Sequence, residues 1–458
     1  MTTDLAARDR ANIIHPYLPA SSTERVVMTE GRGSRLWDTE HREYIDATGG
    51  LWLAQIGHGR AELADAARAQ MAKLEYFTSF WEFSNEPAIE LAERLVSISP
   101  AHLERVYFTS GGSEGNEAAI KMARYYHHRR GDTNRTWILG RDRGYHGGGI
   151  GGSSVNGFSL YHEGFGPMMP DVKHLTPPWP YRTELFDGQD CTDFCVAELE
   201  RTIAELGAEN IAAMLAEPIM GVGGMIVPPA DYWPRIAEVL HRNGILLIFD
   251  EVVTAYGRLG SWFAAEHFGV RPDIVVTAKG ITSGYLPLGA VLTSGEVGEV
   301  LGREHGFPVG YTYNGHPTAC AVALANLNII EREGLLERAT KIGDFLAAEL
   351  RGELGELARV GEVRNQGMML AVELVTDRES RQSLPGIQQI ADTIRADNGV
   401  IVRDAATALV LSPALTLSED EAGAVARAIG EVLARTEADG TVRPRGTDPS
   451  GTDSTGAR

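Results

Sequence analysis

The chain of 458 residues is 43% hydrophobic, enough to bury one large core and a smaller one, so two structural domains of a globular protein are expected. Its 62 Asp and Glu against 42 Lys and Arg give a formal charge of -20, which argues against nucleic acid or an anionic membrane surface as partner. No apolar window approaches the roughly 18 residues of a membrane span, and the first ten residues lack the apolar core of an export signal, so a cytoplasmic protein is expected.

Only Cys191, Cys195 and Cys320 occur, a sparse and odd set that suits a reducing cytosol better than a disulfide framework. Cys191 and Cys195 have no second ligand pair nearby, so no metal is expected.

In chain order, residues 31–38 and 43–46 read as a hairpin of short strands. From residue 61 helical patterns alternate with short apolar runs at 106–109, 137–139, 212–215, 245–249, 274–277 and 290–292. Such alternation predicts an α/β fold with a mainly parallel sheet covered by helices. Pro177-Pro178-Trp179-Pro180, running on to Gly188, reads as a proline-rich surface loop. After Pro317 come helical patterns at 319–333 and 339–350, strand-like runs at 368–375 and 408–411, and a helix at 418–434 that opens on the cap-like Ser418-Glu419-Asp420-Glu421. The expected organisation is a large domain over 61–316, a smaller α+β domain assembled from 1–60 and 317–435, and a disordered polar tail over 436–458.

Two of the apolar runs end in a charged residue. Ile245 to Phe249 leads into Asp250, and Ile274 to Ala278 leads into Lys279. Continuous apolar runs mark buried parallel strands, and ligands of open α/β sheets sit beyond the carboxyl ends of the strands. Asp250 and Lys279 are therefore expected in one crevice. An amine that can form a Schiff base, beside an acid that can hold a pyridine nitrogen protonated, is the pair that pyridoxal phosphate requires.

Four further blocks suit a phosphate-bearing ligand. The strand at 106–109 runs into Ser110-Gly111-Gly112-Ser113-Glu114-Gly115-Asn116-Glu117 and then a helix, where backbone N–H groups and the helix dipole can receive an anion. Taken alone, that block also reads as a turn and helix cap, and it lacks the dinucleotide spacing. Tyr145-His146-Gly147 offers an aromatic ring for a flat heterocycle, or else a partly buried loop tyrosine. Glu217-Pro218 ends another apolar run, as a site acid or a helix cap. Val252 lies two residues past Asp250 and is expected on the same side. Thr312, in Tyr311-Thr312-Tyr313-Asn314-Gly315-His316-Pro317, offers a hydroxyl to an anion or belongs to a plain loop before a helix.

Together these blocks resemble the class III aminotransferases of the type I pyridoxal phosphate fold, often called omega-aminotransferases, from about Tyr17 to Ala434. The most specific matches are Phe249-Asp250-Glu251-Val252 with Gly257-Arg258-Leu259-Gly260, and Pro272-Asp273-Ile274 through Lys279-Gly280 to Gly284-Tyr285-Leu286-Pro287-Leu288-Gly289. The resemblance implies pyridoxal 5'-phosphate as cofactor, with Lys279 as its Schiff-base lysine and proton carrier and Asp250 on the pyridine nitrogen. It implies Val252 and Tyr145 on the two faces of the ring, with His146 and Glu217 beside it. Gly111, Gly112 and Ser113 would hold the phosphate, joined by Thr312 from a neighbouring subunit of a homodimer or dimer of dimers. Trp52, Phe80 and Trp81 would line the amine side, and Arg403 would receive the carboxylate of a keto acid; these aromatics also suit dimer packing, and Arg403 a surface strand end. The implied reaction moves an amino group from a primary amine or omega-amino acid to pyruvate. Transfer to 2-oxoglutarate, or an aminomutase or epimerase activity, would use the same cofactor residues.

Overall fold

The computed structural model describes residues 4–446. Fifteen strands form three sheets among the described residues. In chain order they are β1 (Met28–Arg32), β2 (Arg35–Asp38), β3 (Glu43–Asp46), β4 (Leu103–Thr109), β5 (Trp137–Arg141), β6 (Val172–Leu175), β7 (Ile211–Ala216) and β8 (Leu246–Asp250), followed by β9 (Ile274–Thr277), β10 (Gly289–Ser294), β11 (Val360–Gln366), β12 (Met369–Leu374), β13 (Val400–Ile401), β14 (Arg403–Ala405) and β15 (Ala408–Leu411).

The central sheet has the order β4-β10-β9-β8-β7-β5-β6. Every residue of β7, β8 and β9 is buried, as their unbroken apolar runs require when helices cover both faces. β5 through β9 pair in parallel, whereas β10 runs antiparallel to both β4 and β9. The connection 278–288 contains only one turn of 3-10 helix, too little chain for the crossover a parallel return needs. β6 escaped the sequence reading because Val172-Lys173-His174-Leu175 is a half-exposed edge strand with no apolar run.

Chain ends meet in the second sheet, β1-β2-β3-β13, where Val400 and Ile401 of β13 pair in parallel with Ile45 and Asp46 of β3. The third sheet, β11-β12-β15-β14, is antiparallel, with β14 at its edge. The helix Leu335–Leu354 packs on β11 and β12 and against Glu419–Leu433, which opens with a capping box between Ser418 and Glu421, while Pro317–Arg332 packs on the helices Ala61–Lys73 and Glu86–Ile98.

Two expectations are corrected. Pro177, Pro178 and Trp179 are buried, so the start of this segment is not a surface loop, whereas Pro180, Thr183, Glu184, Asp187 and Gly188 are exposed as expected. The Trp179 ring has the guanidinium carbons of Arg143, Arg182 and Arg364 at 4.9, 5.0 and 5.4 Å from its centroid. Residues 436–446 are not a disordered tail either. Thr436 bridges Val442 across a turn, and Arg445 Nε donates to Glu431 Oε1 at 2.7 Å. Their polarity suggested disorder, but ion pairs with the preceding helix and one turn of backbone bonding hold them; the remainder, 447–458, lies outside the described residues.

Cys191, Cys195 and Cys320 are free and buried, and among the described residues no group of acids, histidines or cysteines is placed to hold a metal. No described helix is long and apolar enough to cross a membrane.

Glu373, fully buried on β12, accepts from Arg182 Nη2 at 2.7 Å and Arg364 Nη2 at 2.9 Å. Arg364 also donates through Nε to the carbonyl of Gly224 at 3.0 Å, so one carboxylate ties the third sheet to the loop after β7. Glu373→Ala removes the buried acceptor shared by two guanidiniums, of which Arg364 keeps Glu362 at 3.0 Å and Arg182 keeps Glu184 at 3.8 Å, and is expected to cost on the order of 1–3 kcal/mol, read as a lowered denaturant midpoint. A midpoint equal to that of the parent would show that the pairs hold nothing together.

Candidate active site

The carboxyl ends of β4, β5, β7, β8 and β9 converge on a crevice of about 430 Å³. Its wall includes Trp52, Gly111, Gly112, Ser113, Asn116, Tyr145, His146, Glu217, Asp250, Val252 and Lys279. Except for Asp250, which ends β8, and Trp52, which follows β3 of the second sheet, these come from loops or helix starts just past strands of the central sheet, the place where an α/β sheet offers side chains to a ligand.

Asp250 closes β8 and is only 4% exposed. Its Oδ2 receives His146 Nδ1 at 2.9 Å and Asn116 Nδ2 at 2.7 Å, and its Oδ1 receives the Val252 amide at 3.1 Å. Three donors offset the burial of the carboxylate and hold its plane. His146 is held in turn, its amide donating to Asn156 Oδ1 at 2.5 Å. Asn116 also donates to the His146 carbonyl at 3.0 Å, so one amide group joins the helix Gly112–Arg129 to the Tyr145 loop.

Lys279 follows β9 in a left-handed conformation, φ 46°, that a non-glycine residue adopts at a cost. That turn directs the amine at the crevice, with Nζ 5.2 Å from the centroid of the Trp52 ring. Desolvation lowers the Lys279 amine from 10.5 to about 8, against the opposing pull of Asp250 and Glu217. Burial pushes the Glu217 carboxyl up, with His146 working the other way. Glu217 accepts the Tyr145 amide at 3.1 Å and the Gly221 amide at 2.8 Å, pinning two loops of the wall.

Gly111 caps the helix Gly112–Arg129, whose first-turn amides have no carbonyl within the helix to bond. A Cβ on Gly111 would meet nothing within 4 Å, so space lies open beside these donors. At Gly112 a Cβ would lie 2.8 Å from Val252 Cγ2, and at Gly147, with φ 106°, one would lie 2.5 Å from Ser113 Oγ. The close approach of three loops therefore depends on these glycines.

Four expected residues lie elsewhere in the chain. Thr312 is exposed on the loop before Pro317–Arg332, its carbonyl accepting Tyr76 Oη at 2.8 Å. Phe80 is half-buried against Gly310, and Trp81 is 83% exposed. None of these three reaches the crevice of its own chain. Arg403, on β14, lines an adjoining cavity and sits with Cζ 5.2 Å from the Trp52 centroid. Asn116, by contrast, was not singled out from the sequence as a site residue. Its signal was its place one helical turn after Gly112, which returns it to the same face.

The family described as Aminotransferase class-III matches residues 17–433, and the chain belongs to it. The protein is an aminotransferase with the type I pyridoxal phosphate-dependent transferase fold. Its relatives include the putrescine–pyruvate aminotransferase of Pseudomonas aeruginosa, 36% identical over 86% of this chain and 87% of that protein. Another is the diaminobutyrate–2-oxoglutarate transaminase of Halomonas elongata, 36% identical over 95% and 96%. A PLP-bound amine transaminase structure from an uncultivated Pseudomonas species superposes with a TM-score of 0.88 at 42% identity, covering 91% of this chain and 97% of that one.

Lys279 in the cofactor-free protein should be acylated by an amine-directed reagent with a pH midpoint near 8, read by peptide mass spectrometry, where an ordinary lysine titrates near 10.5. Because Asp250 raises this amine, Asp250→Asn should move the midpoint lower. An upward move would contradict the electrostatic assignment.

Proposed function

We propose that the protein transfers an amino group from a primary amine or omega-amino acid to pyruvate, giving alanine, with pyridoxal 5'-phosphate held in the crevice. The observation that carries this reading is the pairing, in one cavity, of a partly desolvated amine on Lys279 with a buried carboxylate on Asp250 that three donors fix. The pyruvate-utilising relative supports the acceptor.

The residues fit the cofactor. The open space beside Gly111 and the free amides of Gly112 and Ser113 suit a phosphate. Tyr145 and Val252 wall a slot suited to a flat ring, and Asn116 Oδ1, buried and without a partner, adds a polar atom beside Asp250. When bound, the cofactor supplies an electron sink for the carbon that carries the migrating nitrogen.

The chain supplies the rest. Asp250 would hold a positive charge on the ring nitrogen, and His146 and Asn116 stop its carboxylate from turning away. Lys279 Nζ takes a proton from the amine-bearing carbon of the donor and returns it on the other side of the transfer. A neutral amine is needed for that step, and desolvation lets Lys279 provide one near neutral pH. Glu217 accepts the Tyr145 amide and His146 is tied to Asp250, which fixes the Tyr145 loop as a wall of the crevice that a flat ring would meet.

Arg403, a planar cation with no carboxylate partner among the described residues, is placed to receive the acceptor's carboxylate. Trp52 forms the wall between it and Lys279. Thr312, Phe80 and Trp81 are assigned to the crevice of a second copy in a homodimer, a role that suits their position away from their own site. Segments 1–60 and 317–435 are read as one smaller domain, for which the β3–β13 pairing speaks. A cytoplasmic location suits three buried free thiols.

A 2-oxoglutarate acceptor is the second reading, favoured by the Halomonas relative. Incubation with a panel of amines and either keto acid separates the two: alanine is expected to exceed glutamate, and the reverse would replace pyruvate as acceptor. Lys279→Ala is expected to lower turnover by at least about a thousandfold, within the range for loss of a positioned acid–base group. Asp250→Ala should retain less cofactor after gel filtration and lose most turnover; near-parental values would reject the assignment.

A further inference from the structure

The chain leaves the second sheet at Asp46, the last residue of β3, and returns to it at His58, which bridges Gly33 of the β1–β2 hairpin. Between these points it reaches the crevice, where Leu51, Trp52 and Leu53 form part of the wall. The backbone is strained there. Gly49 and Gly50 take φ of 55° and 67°, and Trp52, which lacks a glycine's freedom, takes φ 62°. A bulky residue in that region costs energy and persists only where its surroundings fix it. A segment needed only to join β3 to the helix Ala61–Lys73 could follow an unstrained path, so the strain serves the seat of the Trp52 ring.

Asp46 does the fixing. It is buried, and its carboxylate accepts four donors. Oδ1 takes the Thr48 amide at 3.1 Å and the Thr48 hydroxyl at 2.8 Å, while Oδ2 takes the Gly50 amide at 2.7 Å and His58 Nε2 at 3.0 Å. The first three lock the turn, on which the Trp52 amide donates to the Thr48 carbonyl at 2.9 Å. The fourth joins the end of the excursion to its start, so one carboxylate clasps the base of the loop. Its backbone is a second anchor: Asp46 stands opposite Ile401 of β13, and the Ala47 amide donates to the Ile401 carbonyl at 3.0 Å, two residues before Arg403. Asp46 thus sets both the Trp52 ring and the strand that leads to Arg403, and that ring has Lys279 Nζ and Arg403 Cζ each 5.2 Å from its centroid. The Gln55 side chain of the same loop packs on Gly280, leaving no room for a Cβ beside Lys279.

We propose that Asp46, which does not itself line the crevice, is a positioning residue of the transamination site: through Gly50 and His58 it closes the loop that seats Trp52, and so sets how tightly the donor's carbon chain is held next to Lys279. This rests on the amine-to-pyruvate reading above and adds to it a residue that acts from outside the cavity.

The test measures steady-state kinetics of the holoenzyme with 1-aminopentane and pyruvate for Asp46→Asn, Trp52→Ala and the double variant. Asparagine keeps a single acceptor oxygen, so either Thr48 or the Gly50 and His58 donors lose their partner. Asp46→Asn should raise KM of the amine at least about fivefold, the scale of one lost hydrogen bond, with kcat within about twofold because Lys279 and Asp250 stand on the central sheet. In the Trp52→Ala background the same change should leave KM within about twofold, since residues that act through one another are not additive. His58→Leu opens the clasp without altering the carboxylate and should raise KM as well, which decides the matter where Asp46→Asn does not fold; His58→Gln keeps a donor and should restore part of the loss. Unchanged KM in the folded variants, a fall in kcat without a rise in KM, or full additivity with Trp52→Ala overturns the proposal. Hydrogen exchange of the cofactor-free protein reads the loop without turnover: amides 47–57 should exchange at least about tenfold faster in Asp46→Asn, or in His58→Leu, while those of β8 and β9 do not change, and equal exchange over 47–57 also overturns it. Failure of the amine-to-pyruvate reading would instead appear as no alanine from the parent, with the exchange rates still deciding the role of Asp46.

Discussion

A carboxylate that is almost wholly out of water, and still anchored, is the constraint on which the site depends. Asp250 is tolerable at the tip of β8 because His146, Asn116 and the Val252 amide supply three donors to it. Those donors come from three separate segments, so satisfying one acid also docks the helix Gly112–Arg129 and the Tyr145 loop onto the sheet. The crevice is in this sense the space left when the loops close around Asp250. Lys279, one strand over, faces the same space through a strained turn that only a well-packed surrounding can hold.

Charge is distributed with economy around that space. The chain as a whole is strongly acidic, yet its crevice joins one amine, two acids and a set of unpaired backbone amides. Burial sets how these groups behave: it draws the Lys279 amine down toward neutrality and pushes the Glu217 carboxyl up. Outside the crevice the same principle works structurally, as Glu373 binds two arginines in the interior and ties the loop after β7 to the third sheet. Function and stability thus draw on one device, the buried charge supplied with complete partners.

The two cavities give the site a direction. At one end stand Lys279 and Asp250, and at the other Arg403, with the Trp52 ring between Lys279 and Arg403. The residues expected at the site, Thr312, Phe80 and Trp81, lie outside the crevice of their own chain, Thr312 and Trp81 exposed and Phe80 half-buried.

The sequence by itself determined the α/β class, the fully buried strands ending at Asp250 and Lys279, and the glycine turn at Gly111 and Gly112, because these follow from local patterns: unbroken apolar runs, a terminal charge and residues without a Cβ. It could not show Asn116 as the second donor to Asp250, nor the burial of Trp179 among three arginines, nor the ordering of residues 436–446. It also missed β6, which has no run to read, and the antiparallel sense of β10. Asn116 meets Asp250, and Trp179 meets Arg364, only across the fold, while the tail and β10 are set by short local connections that leave no apolar run to read.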